Sequence, residues 1–241
     1  MPDVDTIAAA VTPRTKAVIL NSPNNPTGVI YPAELLKSLS DMLLEKGREY
    51  GTVIYVISDE PYRELAYDGA EVPWMPSIVA NCIVCYSWSK SLSLPGERIG
   101  YVVVPGDIAE GQLIFDAEVV ANRMLGFVNA PSLMELVVAR CVDEATNIAG
   151  YDANRQLLYN GLRELGFEST YPAGAFYLWV KTPIDEAEFV QKAKSHNLLL
   201  VPGSNFGTPG NVRLAYCVSP DMIRRSLTAF AALAEECGLK K

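Results

Sequence analysis

Three short apolar runs constrain this chain more than any other feature. They are "KAVILNSP", "TVIYVISDEPY" and "CIVCYSWSK", and each ends abruptly in polar or turn-forming residues. None alternates apolar with polar. A strand that is apolar on both faces has to be covered on both faces, as in a mostly parallel sheet flanked by helices. The segment "PAELLKSLSDMLLEKG" separates the first two runs. Pro32 suits a helix start, Leu35, Leu36, Leu39, Met42 and Leu43 recur at helical spacing, and Gly47 suits the end. "DVDTIAAAV" reads as a short helix with Asp3 or Asp5 near its start, and "IGYVVVP" as a fourth strand. Strands alternating with helices predict an α/β fold.

The order changes after Pro105. "GQLIFDAEVVANRM", "PSLMELVVARCVDEA" and "YDANRQLLYNGLRELG" are successive helical stretches, the last ending at Gly166. A strand "FYLWVKT", a helix "DEAEFVQKAKSHN", a short strand "LLLVPG", a strand "NVRLAYCV" and a helix from Pro220 follow. This is α+β order. The expected division is a large domain over residues 1–147 and a smaller α+β domain over 148–241.

Bulk properties exclude several classes of function. The formal net charge is −8 and no basic stripe is present, so nucleic acid is not an expected partner. No apolar run reaches the roughly 18 uncharged residues of a membrane helix, and the Ala8–Val11 patch is too short for a secretory signal. The expected location is the cytoplasm, with no membrane partner. Of the five cysteines, Cys82 and Cys85 form a C-x-x-C spacing inside an expected strand. Residues three apart on a strand face opposite sides, so the pair reads as structural thiols rather than a redox couple. No metal site is expected.

Ligands of open α/β sheets bind beyond the carboxyl ends of the strands. The three runs deliver there an amide cluster in "NSPNNPTG", an acid and a tyrosine in "DEPY", and a lysine in "WSK". A desolvated lysine amine is a nucleophile able to form a Schiff base, although Lys90 alone is compatible with a surface residue opening a helix. Asp59 taken alone fits a turn or helix cap equally well. Arg98, after a Pro-Gly turn, is able to clamp a phosphate or to pair with Glu97. Arg213, inside "NVRLAYCV", suits two-point binding of a carboxylate or a solvent-facing strand position.

Taken together, "NSPNNPTG", "SDEPYRELAYDG", "SWSKSLSLPGERIGY", "GAFYLWV" and "VPGSNFGTPGNVRLAY" resemble the class I and II pyridoxal-phosphate-dependent aminotransferases of the aspartate aminotransferase fold type. The resemblance implies a partial cofactor-binding large domain, an α/β sheet covered by helices, followed by the smaller domain. It implies pyridoxal 5′-phosphate as cofactor, held as a Schiff base on Lys90, whose amine also moves the substrate proton. Asp59 would pair with the pyridine nitrogen. Tyr62 and Asn25 would hydrogen-bond the 3′-oxygen of the ring. Ser87 and Arg98 would hold the phosphate, with Ser89 a further candidate. Arg213, together with Asn25, would bind the substrate, Arg213 taking the α-carboxylate of the amino acid. The implied reaction moves an amino group between an L-amino acid and a 2-oxo acid.

Chains of this family are longer at the front, so the chain is expected to correspond to the C-terminal portion of an aminotransferase. Neighbouring strands would then lose partners, and pairing with a second copy, as a homodimer, is expected to compensate. A carbon–sulfur lyase or decarboxylase on the same scaffold, or a truncated inactive remnant, are the alternative readings. His196, the only histidine, has no assigned role.

Overall fold

The computed structural model describes residues 1–239, which fall into two compact units. The first comprises Met1–Ser22, Ile30–Glu64 and Glu71–Thr146, and the second Pro23–Val29, Leu65–Ala70 and the chain from Asn147 onward.

In the first unit, α1 (Val4–Ala10) starts at Asp3, whose carboxylate accepts the Thr6 N–H at 2.6 Å. Strand β1 (Ala17–Asn21) leads to α2 (Ala33–Tyr50), which buries Leu36, Leu39 and Leu43. Pro32 caps α2 rather than opening it, and the helix runs past Gly47 to Gly51, which takes the left-handed conformation at φ 62°. Gly47 serves packing instead of termination: a Cβ there would sit 2.8 Å from the Thr52 carbonyl oxygen. Strands β2 (Tyr55–Asp59) and β3 (Cys82–Ser87) follow, then a single-turn helix α3 (Trp88–Ser91) and β4 (Gly100–Val103). The sheet order is β1-β2-β3-β4. β1, β2 and β3 are parallel and β4 is antiparallel to β3. The α/β expectation is met. Helices α4 (Gly111–Met124) and α5 (Ser132–Cys141) complete the unit.

The apolar faces are not all covered. Ile19 on β1 is 71% exposed, and Tyr101 and Val102 on β4 are 44% exposed each. These two strands are the outermost of the sheet. Cys82 and Cys85 are free thiols on β3. Burial pushes Cys82 up to about 12 and Cys85 upward as well, so both are held as unreactive thiols.

The second unit is built on α6 (Ile148–Glu164), β5 (Ser169–Thr170), β6 (Tyr177–Lys181), α7 (Glu186–Ser195), β7 (Val201–Pro202), β8 (Asn211–Ala215) and α8 (Pro220–Glu236). Its antiparallel sheet has the order β5-β6-β8-β7. Four consecutive residues of β6, Tyr177 to Val180, are buried, which explains why the run "FYLWV" shows no alternation. At its heart lies the fully buried Arg155. Its guanidinium donates to Asp152 Oδ1, Asp68 Oδ1 and the Pro172 carbonyl at 2.8, 2.8 and 2.7 Å. The rings of Tyr67 and Tyr171 lie 4.6 and 4.7 Å from it. A buried cation is tolerable only with this degree of pairing.

Candidate active site

In the first unit, the candidate residues stand where parallel strands end. Asn21 and Asp59 are the last residues of β1 and β2 and occupy matching register. The Asn21 amide donates to Asp59 Oδ2 at 3.0 Å and to the Asp59 carbonyl at 2.9 Å. The carboxylate is thereby aimed, not left to cap a turn. Burial pushes its pKa above the ordinary aspartate value, and the Asn21 amide draws it part of the way back. Asn21 reaches across to β2 rather than bracing the turn that follows β1, because a parallel pair in register puts the two side chains side by side. Asn24 does brace the turn, accepting from Thr27 Oγ1 at 2.7 Å and Thr27 N at 3.2 Å.

β3 delivers the lysine. Ser87 is the N-cap of α3, yet its hydroxyl makes no capping bond, unlike a serine whose role is only to start a helix. Ser89 and Lys90 follow, both half-buried. Lys90 Nζ lies 5.9 Å from the centre of the buried Tyr62 ring. The helix is pinned from below by a network absent from the sequence reading. Tyr86 Oη donates to Glu64 Oε1 at 2.7 Å and bonds Ser91 Oγ at 2.7 Å. Tyr86 also stacks on Tyr101 at 4.9 Å and meets Trp88 edge-on at 5.6 Å. The clue in the sequence was the cluster of aromatics in "CYSW" and "IGYV". Arg98 is exposed in a left-handed conformation at φ 51°, and its Nη1 donates to the Pro95 carbonyl at 2.9 Å, not to Glu97.

A cleft of about 420 Å³ beside β3 and β4 is lined by Tyr86, Tyr101, Phe115, Glu118 and Val119 among others, but by none of Lys90, Asp59 or Tyr62. It belongs to the apolar surface of α4, not to this cluster.

In the second unit, Arg213 Nη1 donates to Asn25 Oδ1 at 2.8 Å. The peptide bond from Asn25 to Pro26 is cis. The guanidinium lies 4.4 Å from the Tyr177 ring and 5.0 Å from the Phe206 ring. Arg213 is therefore half-buried and oriented by neighbours, not a strand arginine pointing to solvent. Phe206 had no role in the sequence reading.

The model of the family aminotransferase class I and II matches residues 2–230. The chain belongs to this family. It is 32% identical over 238 residues to the aspartate/prephenate aminotransferase of Thermus thermophilus, covering 96% of this chain and 60% of that protein. A crystal structure of an amino transferase from Eubacterium rectale superposes with a TM-score of 0.95 at 44% identity, over 99% of this chain and 60% of that one. The Thermus thermophilus aspartate aminotransferase with maleate gives a TM-score of 0.78 at 30% identity, covering 96% and 60%. The chain thus spans about 60% of the length of these aminotransferases.

Aminotransferases of this class use pyridoxal 5′-phosphate. The donor set of the first unit fits that molecule. It offers a primary amine for the aldehyde, a half-buried carboxylate for a ring nitrogen, a phenol for the ring oxygen, and two hydroxyls for phosphate. The uncapped Ser87 hydroxyl and the Asn21-aimed Asp59 carboxylate are the two observations that carry the fit. Among the described residues no helix is long and apolar enough to cross a membrane, and no cluster of His, Cys, Asp or Glu is arranged to hold a metal ion.

Proposed function

We propose that this chain carries the cofactor- and carboxylate-binding residues of an aminotransferase that moves an amino group between an L-amino acid and a 2-oxo acid. The observation behind this reading is the placement of Asp59, Tyr62 and Lys90 in one unit, with Asp59 held by Asn21 and Lys90 beside Tyr62. Pyridoxal phosphate supplies an electron sink for the charge that develops on the α-carbon. Lys90 Nζ would hold the aldehyde carbon in the absence of substrate and, released when the amino acid's nitrogen takes its place, would move the α-proton. Asp59, half-buried and held by the neutral amide of Asn21, would suit a protonated ring nitrogen. Tyr62 and Asn25 would orient the ring oxygen, and Ser87, Ser89 and Arg98 would hold the phosphate. Arg213, set beside Asn25, takes the α-carboxylate.

In this reading residues 1–147 carry most of the cofactor side and residues 148–241 the carboxylate arginine. The unpaired thiols of Cys82 and Cys85 suit the reducing cytoplasm. The exposed apolar side chains of α4 and α5 suit a homodimer. Amino transfer is preferred over lyase or decarboxylase chemistry because the relatives are named as aminotransferases.

The test is covalent labelling. Incubation with pyridoxal phosphate and reduction with borohydride should place a stable adduct on Lys90, abolished in Lys90→Ala. An adduct scattered over surface lysines would overturn the site. With the label in place, consumption of a 2-oxo acid coupled to an amino donor supports amino transfer, whereas release of ammonia supports a lyase.

A further inference from the structure

The loop that follows β7 is organised by one carboxylate. Glu186, the first residue of α7, accepts backbone N–H groups from both ends of the segment 203–211. Gly203 and Gly210 each donate to Oε2 at 3.0 Å, Asn211 donates to Oε2 at 3.3 Å, and Ser204 donates to Oε1 at 3.2 Å and Oε2 at 3.3 Å. Burial would raise this carboxyl, but the bonds from Ser204, Asn211 and Gly210 outweigh it and hold the pKa below the usual glutamate value. The residue is ionised and committed to the loop under ordinary conditions.

The same loop carries Phe206 at its middle. Phe206 meets the Trp179 ring edge-on at 5.7 Å and lies 5.0 Å from the Arg213 guanidinium. Tyr177 lies 4.4 Å from that guanidinium, and Asn25 fixes Nη1 by a hydrogen bond. A guanidinium has a planar fork, and its grip on a carboxylate depends on the plane in which it is held. Asn25 constrains one edge of the fork. The rings constrain its plane, and the position of the Phe206 ring depends on a loop closed by Glu186.

We infer that Glu186 is a positioning residue, which holds Phe206 against Arg213 and so sets the plane in which the guanidinium receives a carboxylate. This inference rests on the reading of Arg213 as the carboxylate clamp.

Two measurements test it on the full chain. The first is the NMR shift of the Arg213 δ-protons, which nearby aromatic rings displace; the signal is assigned by its loss in Arg213→Lys. Phe206→Leu supplies the reference value without that ring. Glu186→Ala should move the shift to the Phe206→Leu value, and Glu186→Gln, which keeps one acceptor oxygen, should move it part of the way. An unchanged shift in folded Glu186→Ala overturns the inference.

The second is titration with maleate as a dicarboxylate probe. Glu186→Ala and Phe206→Leu should each weaken binding roughly 3- to 30-fold, the range of a single cation–π contact. The double variant should be no weaker than the weaker single one, because both act through one ring. Additive losses, or a lower melting temperature with unchanged maleate affinity, would reduce Glu186 to a purely structural role. Equal maleate affinity in wild type and Arg213→Lys counts against Arg213 as the clamp, and the δ-proton shift still decides whether Glu186 places Phe206.

Discussion

Asp59 illustrates how a single side chain reports its purpose. Its carboxyl is half-buried and accepts a hydrogen bond from the neutral amide of Asn21. Burial raises its pKa, so the folded protein binds this proton more tightly than the unfolded chain does. The stabilising contribution is therefore complete below the ordinary aspartate value and is lost as pH rises through the higher folded value. In cofactor-free protein, Asp59→Asn should remove that slope in the mildly acidic range. At neutral pH the variant should be slightly the more stable. Urea midpoints measured against pH for both proteins provide the check, and parallel curves would contradict the assignment. The gain in stability is expected alongside a loss of cofactor binding, the usual trade at a functional residue.

At the scale of elements, Arg155 links three chain segments of the second unit. From α6 it reaches Asp68 in the segment 65–70 and the Pro172 carbonyl before β6, while Asp152 holds it from the preceding turn of its own helix. Tyr171 Oη completes the arrangement by donating to Asp68 Oδ2 at 3.1 Å. Removing the cation would leave the Pro172 carbonyl without its donor, and Asp152 and Asp68, both partly exposed, without their counter-charge. Arg155→Met should cost about 1–3 kcal/mol in urea unfolding. Arg155→Lys should recover little of it, because an ammonium cannot reproduce the fork. A loss below about 1 kcal/mol would mean that the cluster is replaceable by packing.

At the scale of the molecule, several large apolar side chains of the first unit stand open. Leu113, Phe115 and Val120 on α4 are 63%, 55% and 55% exposed, and Met124 at its end is 83% exposed. Leu133 and Leu136 on α5 are both 66% exposed. Exposed apolar side chains in this number suit an association surface. Sedimentation velocity should reveal self-association that grows with concentration. Val120→Lys combined with Met124→Lys should weaken it by about tenfold or more, as two unpaired charges in a desolvated contact would. A wild-type chain that remains monomeric at every concentration would refute the homodimer reading.

Much of this protein was legible in its sequence, for identifiable reasons. Period and turn chemistry are local, so β1, β2, β3 and the helices stood out, as did Asp3 and Pro220 near helix starts. The residues at the ends of the apolar runs were legible too, because a strand end is a place in the sequence as well as in space. Where two signals compete locally, pattern is ambiguous. Gly47 resembles a helix end, but the Thr52 carbonyl lies so close that only glycine fits inside the helix. What tertiary structure alone decided were pairings between distant segments. Register, not spacing, put Asn21 beside Asp59. The packing of the second unit brought Asn25 to Arg213 across 188 positions of chain, and Glu186 to a loop that begins 17 residues later. Chain composition and pattern determine which elements form, because those depend on near neighbours. Which polar side chains meet depends on how the elements pack, and no local rule encodes that.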